Sequence, residues 1–247
     1  MPISAKIILD SVAPNGARLT TVEGHFPRII LAEVNTYRVM SRNTSSSRAI
    51  PASKMRARVK DETFIPVHFG ANQKGMRADN EVEDITKARE WWLKCANMAL
   101  QLHEEGEALG IHKQIVNRVI EPYMYTTQVM SGTDWGNLFF QRRHKDAQPE
   151  FKEFANLLWE AMRNSKPTFI NFPGWHLPYV TNEDRKQTNN NISLLKKISV
   201  GRCARTSYLS HDGKRDIQAD IDLHDKLLLG RFTSEPVSYT HLRAHET

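Results

Sequence analysis

Cysteine is almost missing from this sequence: Cys95 and Cys203 are the two in 247 residues, and neither belongs to a CxxC pair. Neither a zinc site nor a disulfide framework is indicated. The ten histidines include no HExxH and no pair at metal-ligand spacing, so no metal is expected. No apolar run approaches the roughly 20 residues of a membrane helix, and MPISAKIILDSVAPNG lacks the apolar stretch and cleavage site of a signal peptide. The expectation is a cytoplasmic protein with no membrane partner. Catalytic signatures are missing too. There is no GxGxxG for a dinucleotide and no GxSxG elbow. GANQKGM, residues 70–76, has two glycines at P-loop spacing but Met76 where the phosphate-binding Lys is required. One last absence is local. From Val34 to Lys60 there is no Asp or Glu, while Arg38, Arg42, Arg48, Lys54, Arg56, Arg58 and Lys60 accumulate.

Such a segment repels itself unless something negative sits there. Within it, NTYRVMSRNTSSSRAIP (35–51) sets three arginines among hydroxyls. Guanidinium forks with hydroxyls and backbone N–H groups suit a phosphate. The net charge of +6 agrees with phosphorylated or polyanionic partners but does not choose between small phosphates and nucleic acid, so a basic nucleic-acid-binding protein stays open at this point.

The length and the 40% apolar share suit one globular domain with a real core. Residues 5–11 and 27–34 read as strands, or as a strand and a helix start. Pro51 closes the element carrying the arginine motif, and 65–80 is a loop. A long helix over 85–105 has an apolar face of Ile85, Ala88, Trp92, Cys95, Ala99 and Leu102. A second runs through IHKQIVNRVI to stop near Pro122, with Arg118 on it. A third spans 147–162, with Phe151, Phe154, Ala155, Leu158 and Met162 inward, Pro149 in its first turn and Asp146 as cap. Residues 164–191 read as a loop whose asparagine run is a mobile surface segment, and two helices follow, in ISLLKKISVGRCARTSYL and DIDLHDKLLLG. No repeat or linker is found.

With these stretches in hand, the chain resembles the flavin-dependent thymidylate synthases. Their signature, Arg-His-Arg and, seven residues on, a Ser with an inner Ser and Asn and a closing Arg, is matched by Thr36, Tyr37, Arg38, Ser41, Asn43, Ser46 and Arg48. A second stretch is matched by Arg118, Pro122, Asn137, Arg142, Ala147 and Gln148. PRIILAEVNTYR, SRNTSSSRAIP, NQKGM, NRVIEP and WHLPY resemble a subgroup common in phages and bacteria, so the likeness covers most of residues 5–230. It implies an α+β fold: a mixed α/β single domain over 1–235 with helices packed on a mainly antiparallel sheet. It implies reductive methylation of dUMP to dTMP, with methylenetetrahydrofolate giving the carbon and FAD, recharged by NADPH, the hydride. Partners would be dUMP, a folate and further copies of the chain in a homotetramer, with no nucleic acid.

The resemblance also assigns residues. Ser46, Ser47 and Arg48 would hold the dUMP phosphate with Arg118 from a neighbouring subunit, and Glu33, Thr44 and Ser45 would join the substrate site. Arg142 would face the uracil and favour its N3-deprotonated, enolate-like form. Thr36, Tyr37, Arg38, Asn43 and Asn137 would meet FAD. No cysteine nucleophile is needed. The chain departs from the pattern at Thr36 and Tyr37, which replace Arg and His, and at Thr44, which replaces Glu. LLLGRFTSEP stands where the subgroup's C-terminal flavin histidines are due, and residues 236–247 read as a non-native tail on a truncated frame. A truncated, inactive nucleotide-binding oligomer is the third reading.

Overall fold

The computed structural model describes residues 3–75, 78–206 and 216–229. The expected tail at 236–247 lies outside them, as do all but the first three residues of LLLGRFTSEP, where the flavin histidines were sought.

The N-terminal isoleucine-rich run forms β1 (Ser4–Val12), which pairs antiparallel with β2 (Arg18–Pro27). β2 pairs antiparallel with β4 (Tyr125–Gly132), and β4 with the short β3 (Ser41–Thr44). A two-residue β5 (Thr168–Phe169) lies parallel to β1, giving the order β3-β4-β2-β1-β5. The sheet is mainly antiparallel, as expected, and β3 forms one edge of it.

The helices are α1 (Leu31–Val34), α2 (Ala52–Asp61), α3 (Ile85–Ala108), α4 (Lys113–Val116), α5 (Gly136–Arg142), α6 (Pro149–Asn164), α7 (Asn182–Gln187), α8 (Ile192–Ala204) and α9 (Ile217–Leu229). α6 packs on β1 and β2. Its Phe151, Phe154, Ala155 and Leu158 are fully buried against Val22, Phe26 and Met130 of the sheet, while Met162 is partly buried at the edge. Phe26 and Phe154 meet with ring centroids 4.7 Å apart. The contact needs Gly24, where a Cβ would lie 2.6 Å from Phe154. A second cluster joins α2 to α3 through Ile50, Met55, Val59, Ala99, Ile120 and Met124.

Several sequence expectations are corrected here. The run at 27–34 is a 3₁₀ turn and α1, so its helical alternative holds. The cap of α6 is Gln148, whose side chain accepts from the Phe151 N–H at 2.8 Å, one position before the helix-starting Pro149; Asp146 lies too far upstream to reach it. The helix carrying Ile115 ends at Val116, so Arg118 stands on a turn. The turn sends Asn117 inward, where its amide is needed. α3 buries Ala96, Ala99 and His103, while Ile85 and Leu102 of the expected face are exposed. Small residues permit the close approach to α2, and His103 is tolerated because its ring is hydrogen-bonded. The polar stretch before 191 contains α7, fixed by a reciprocal capping box of Thr181 and Asp184. Its asparagines hold structure: Asn189 and Asn190 take positive φ (50° and 56°), and Asn191 caps α8.

The C-terminal part is tied by Arg202, which is fully buried. It donates to Asp184 of α7 (2.5 and 2.7 Å) and to Asp220 of α9 (2.8 Å). Burial alone would raise the Asp184 pKa, but the bonds from Arg202 and Thr181 win and hold it down at about 2.

Candidate active site

The arginine motif lies along the exposed edge of the sheet. Ser41, Arg42, Asn43 and Thr44 pair with Ser131, Met130, Val129 and Gln128, and the Ser45 N–H extends the ladder by donating to Thr127 O at 2.8 Å. Ser45 is buried, its hydroxyl 3.1 Å from that of Thr126. The chain then turns through Ser47–Ala49 into α2.

That turn is held from below. Asn117, fully buried, donates to the carbonyls of Ser47 (2.7 Å) and Ile50 (3.0 Å). Its Oδ1 lies 2.9 Å from His103 Nε2, and His103 Nδ1 faces Arg56 at 3.5 Å, which sets the tautomer with the proton on Nε2. Arg56 is in turn paired with Glu107. Lys113 donates to Ala49 O at 3.1 Å. The serine–arginine turn is thus fixed by α3 and the segment after α4.

Above it, the Ser47 hydroxyl donates to Glu121 Oε1 at 2.5 Å. The same oxygen meets Arg28 Nη2 at 3.1 Å and Arg118 Nη1 at 3.2 Å. Ser47 and Arg118 therefore share Glu121 within one chain. Arg48 is exposed beside them and Ser46 is half-buried.

A second group surrounds Arg142, in the last turn of α5. Its Nη1 donates to Glu33 at 2.8 Å and its Nε to the Tyr37 hydroxyl at 2.9 Å, while that hydroxyl donates to Gln141 at 2.7 Å. The guanidinium lies 4.7 Å from the centroid of Phe151. Tyr37 is a buried residue whose ring stands edge-on to Phe151, so its hydroxyl is the part that reaches the site. Thr36 is exposed and donates to Glu33 O. Asn137, in the first turn of α5, is exposed.

Asn35, Arg38, Met40, Arg42 and Thr44 line a cavity of about 480 Å³. Burial, and then the charge of Arg38, depress the pKa of Arg42, which donates to the carbonyls of Tyr37 (2.6 Å) and Asn35 (2.7 Å). Gln128 is fully buried; its Nε2 reaches Asn35 and Thr44, and its Oε1 has no hydrogen-bond partner. Asn43 donates to the carbonyls of Cys203 (2.8 Å) and Ala204 (2.9 Å), capping α8 and tying its C-terminal end to the arginine motif. Burial pushes the Cys203 thiol up to about 12. Among the described residues no cluster suits a metal ion, and no helix is long and apolar enough to cross a membrane.

The structure therefore gathers Glu33, Tyr37 and Arg142 into one contact group, Ser47 and Arg118 into another, and Arg38 and Thr44 into the lining of one cavity. Sequence reasoning missed Asn117, Glu121, Gln128 and His103. The NRVIEP block contains two of these, but their contacts are tertiary and no spacing betrays them.

No family model and no curated protein matches the chain. Solved structures do match: the UMP/dUMP methylase PolB from Streptomyces cacaoi bound with 5-Br dUMP, at TM-score 0.52 and 13% identity over 65% of this chain and 89% of that one. The same enzyme bound with 5-Br UMP matches at TM-score 0.50 and 14% identity, over 65% and 88%. The chain shares its fold with this methylase.

Proposed function

We propose that the protein is an enzyme that methylates dUMP to dTMP in the manner of the flavin-dependent thymidylate synthases, taking the carbon from methylenetetrahydrofolate. The observation that carries this reading is the convergence of Ser47, Arg118 and the motif turn at one anionic position, together with an Arg142 oriented by Glu33 and Tyr37 of the segment that leads into the edge strand. The fold shared with a UMP/dUMP methylase supports it.

In this reading Ser46, Ser47, Arg48 and Arg118 hold the nucleotide phosphate, on a turn that Asn117 keeps in place. Arg142 faces the pyrimidine. Its plane is fixed by Glu33 and Tyr37, so it meets developing negative charge on the uracil without reorganising, and C5 becomes nucleophilic without a covalent thiolate. The buried, strongly protonated Cys203 suits a reaction that has no such thiolate. The residues present fit FAD: Arg38 and Arg42 line one cavity, where burial and then the Arg38 charge lower the Arg42 pKa, and the orphaned Gln128 Oε1 beside Asn35 and Thr44 suits an N–H donor. Arg38, Thr36 and Asn137 would hold it, with the Tyr37 hydroxyl and Asn43 in support. When bound and reduced by NADPH, the flavin supplies the hydride.

Further copies of the chain are the proposed partners. Trp91, Met98 and Leu102 of α3, with Leu109 just after it, form an exposed apolar stripe, with Lys94 near one end and Glu105 near the other. An antiparallel second copy would bury the stripe and match those charges. The test of the nucleotide site is calorimetric titration with dUMP and deoxyuridine. Binding of dUMP that is lost in Arg48→Ala supports the reading, and equal binding of both ligands overturns it.

A further inference from the structure

The phosphate assignment leaves one group without a role: the carboxylate of Glu121, the one anion amid its cations. Glu121 Oε1 accepts from Ser47 Oγ at 2.5 Å and meets Arg28 Nη2 at 3.1 Å; both its oxygens take Arg118 Nη1, at 3.2 and 3.1 Å. These partners come from three separate parts of the chain: the turn before α2, the 3₁₀ turn after β2, and the turn after α4. Two guanidiniums and a hydroxyl converging on one oxygen is the coordination that a phosphate oxygen takes. The partners differ in their freedom. The Arg28 side chain is 15% exposed and that of Glu121 19%, whereas Arg118 is 52% exposed and able to swing.

We propose that Glu121 is a built-in stand-in for the phosphate. Its carboxylate fills the anionic position while the site is free, and a nucleotide enters by taking Ser47 and Arg118 from it. Glu121 stays paired with Arg28, so no charge is stranded in the exchange. The inference rests on the nucleotide reading above and deepens it: phosphate affinity is set by competition with an internal carboxylate. Two properties follow. The cradle stays ordered without ligand, because Ser47 and Arg118 are already held by the Glu121 carboxylate. Ligands lacking a dianionic phosphate gain nothing from the exchange, because a nucleoside leaves Glu121 in place.

The test is calorimetric titration of dUMP and of deoxyuridine into the full-length wild-type protein and Glu121→Gln, which keeps the shape and one acceptor but removes the charge. Competition predicts that Glu121→Gln binds dUMP about five- to tenfold tighter, with deoxyuridine affinity unchanged. A merely structural Glu121 predicts the reverse, a weaker dUMP complex in step with a lowered Tm. Should Glu121→Gln melt too low to titrate, Glu121→Asp keeps the charge but draws it back by one methylene from the oxygen position that Ser47, Arg28 and Arg118 share, and a two- to fivefold gain is expected. Wild-type binding of dUMP with no gain in either variant overturns the exchange and leaves the nucleotide site standing. Binding of dUMP by none of the three overturns both.

Discussion

Replacing Asn117 with alanine tests whether the motif turn is held by the buried chain beneath it. The side chain is fully buried and makes three contacts of 2.7, 3.0 and 2.9 Å, to Ser47 O, Ile50 O and His103 Nε2. Truncation leaves two carbonyls and one ring N–H without these partners in a site closed to water. Each unsatisfied group costs about 1–3 kcal/mol, and the second lone pair of each carbonyl and local relaxation recover part of it. The expected loss is about 3–4 kcal/mol, which in a domain of this size lowers Tm by roughly 6–16 °C. The same change frees the turn of Ser46, Ser47 and Arg48, so dUMP affinity falls about tenfold while deoxyuridine affinity holds. Urea denaturation and calorimetry read the two effects. A stability loss below about 1 kcal/mol, or full stability loss with unchanged dUMP affinity, refutes the claim that Asn117 positions the turn.

Four further outcomes are expected. Arg142→Ala retains dUMP binding within a few-fold and loses dTMP formation by at least about a hundredfold, since its contact matters in the transition state; equal losses in binding and turnover contradict the role. Asp184→Asn strands one side of Arg202 and destabilises by about 3–5 kcal/mol in denaturant titration. Acid weakens the fold in two windows. Burial, joined by neighbouring positive charge, lowers the His25 pKa to about 4, so the unfolded chain takes up its proton first and stability falls from about pH 6.5 to 4. The depressed Asp184 contributes stability that is full above about pH 3.8 and lost as pH falls to about 2; His25→Gln should remove only the upper window from a pH series of melting curves. Met98→Lys with Leu102→Lys should lower the mass seen by analytical ultracentrifugation, and an unchanged mass excludes the α3 stripe as an interface.

Legibility in the sequence followed apolar periodicity. β1 and the helices α3, α6, α8 and α9 could be read because their apolar residues recur at strand or helix spacing, and in α6 the same four residues fill the core. β2 and β4 could not, because polar residues occupy buried positions: Thr20 and Thr21 in β2, Thr126 and Gln128 in β4. Those residues are satisfied mainly by cross-strand and tertiary bonds, which leave no trace in spacing. α7 was hidden in a polar run, although Thr181 and Asp184 carried a capping signal that could have found it. For the site, the acid-free basic stretch led to the right edge strand. It also misled, since Arg56 of that stretch is balanced by Glu104 and Glu107 from outside it, and the Ser47 hydroxyl is spent on Glu121. The α3 face was misjudged because a buried histidine with two polar neighbours counts against an apolar pattern while a surface Leu102 counts for it.

The central claim, that this chain methylates dUMP with a flavin, meets its most direct test in one incubation. Purified protein is mixed with dUMP, methylenetetrahydrofolate, FAD and NADPH, and dTMP is measured by chromatography against samples lacking each component. The account predicts dTMP that depends on all four and disappears in Arg142→Ala. Absence of dTMP from protein that binds both dUMP and FAD would contradict it.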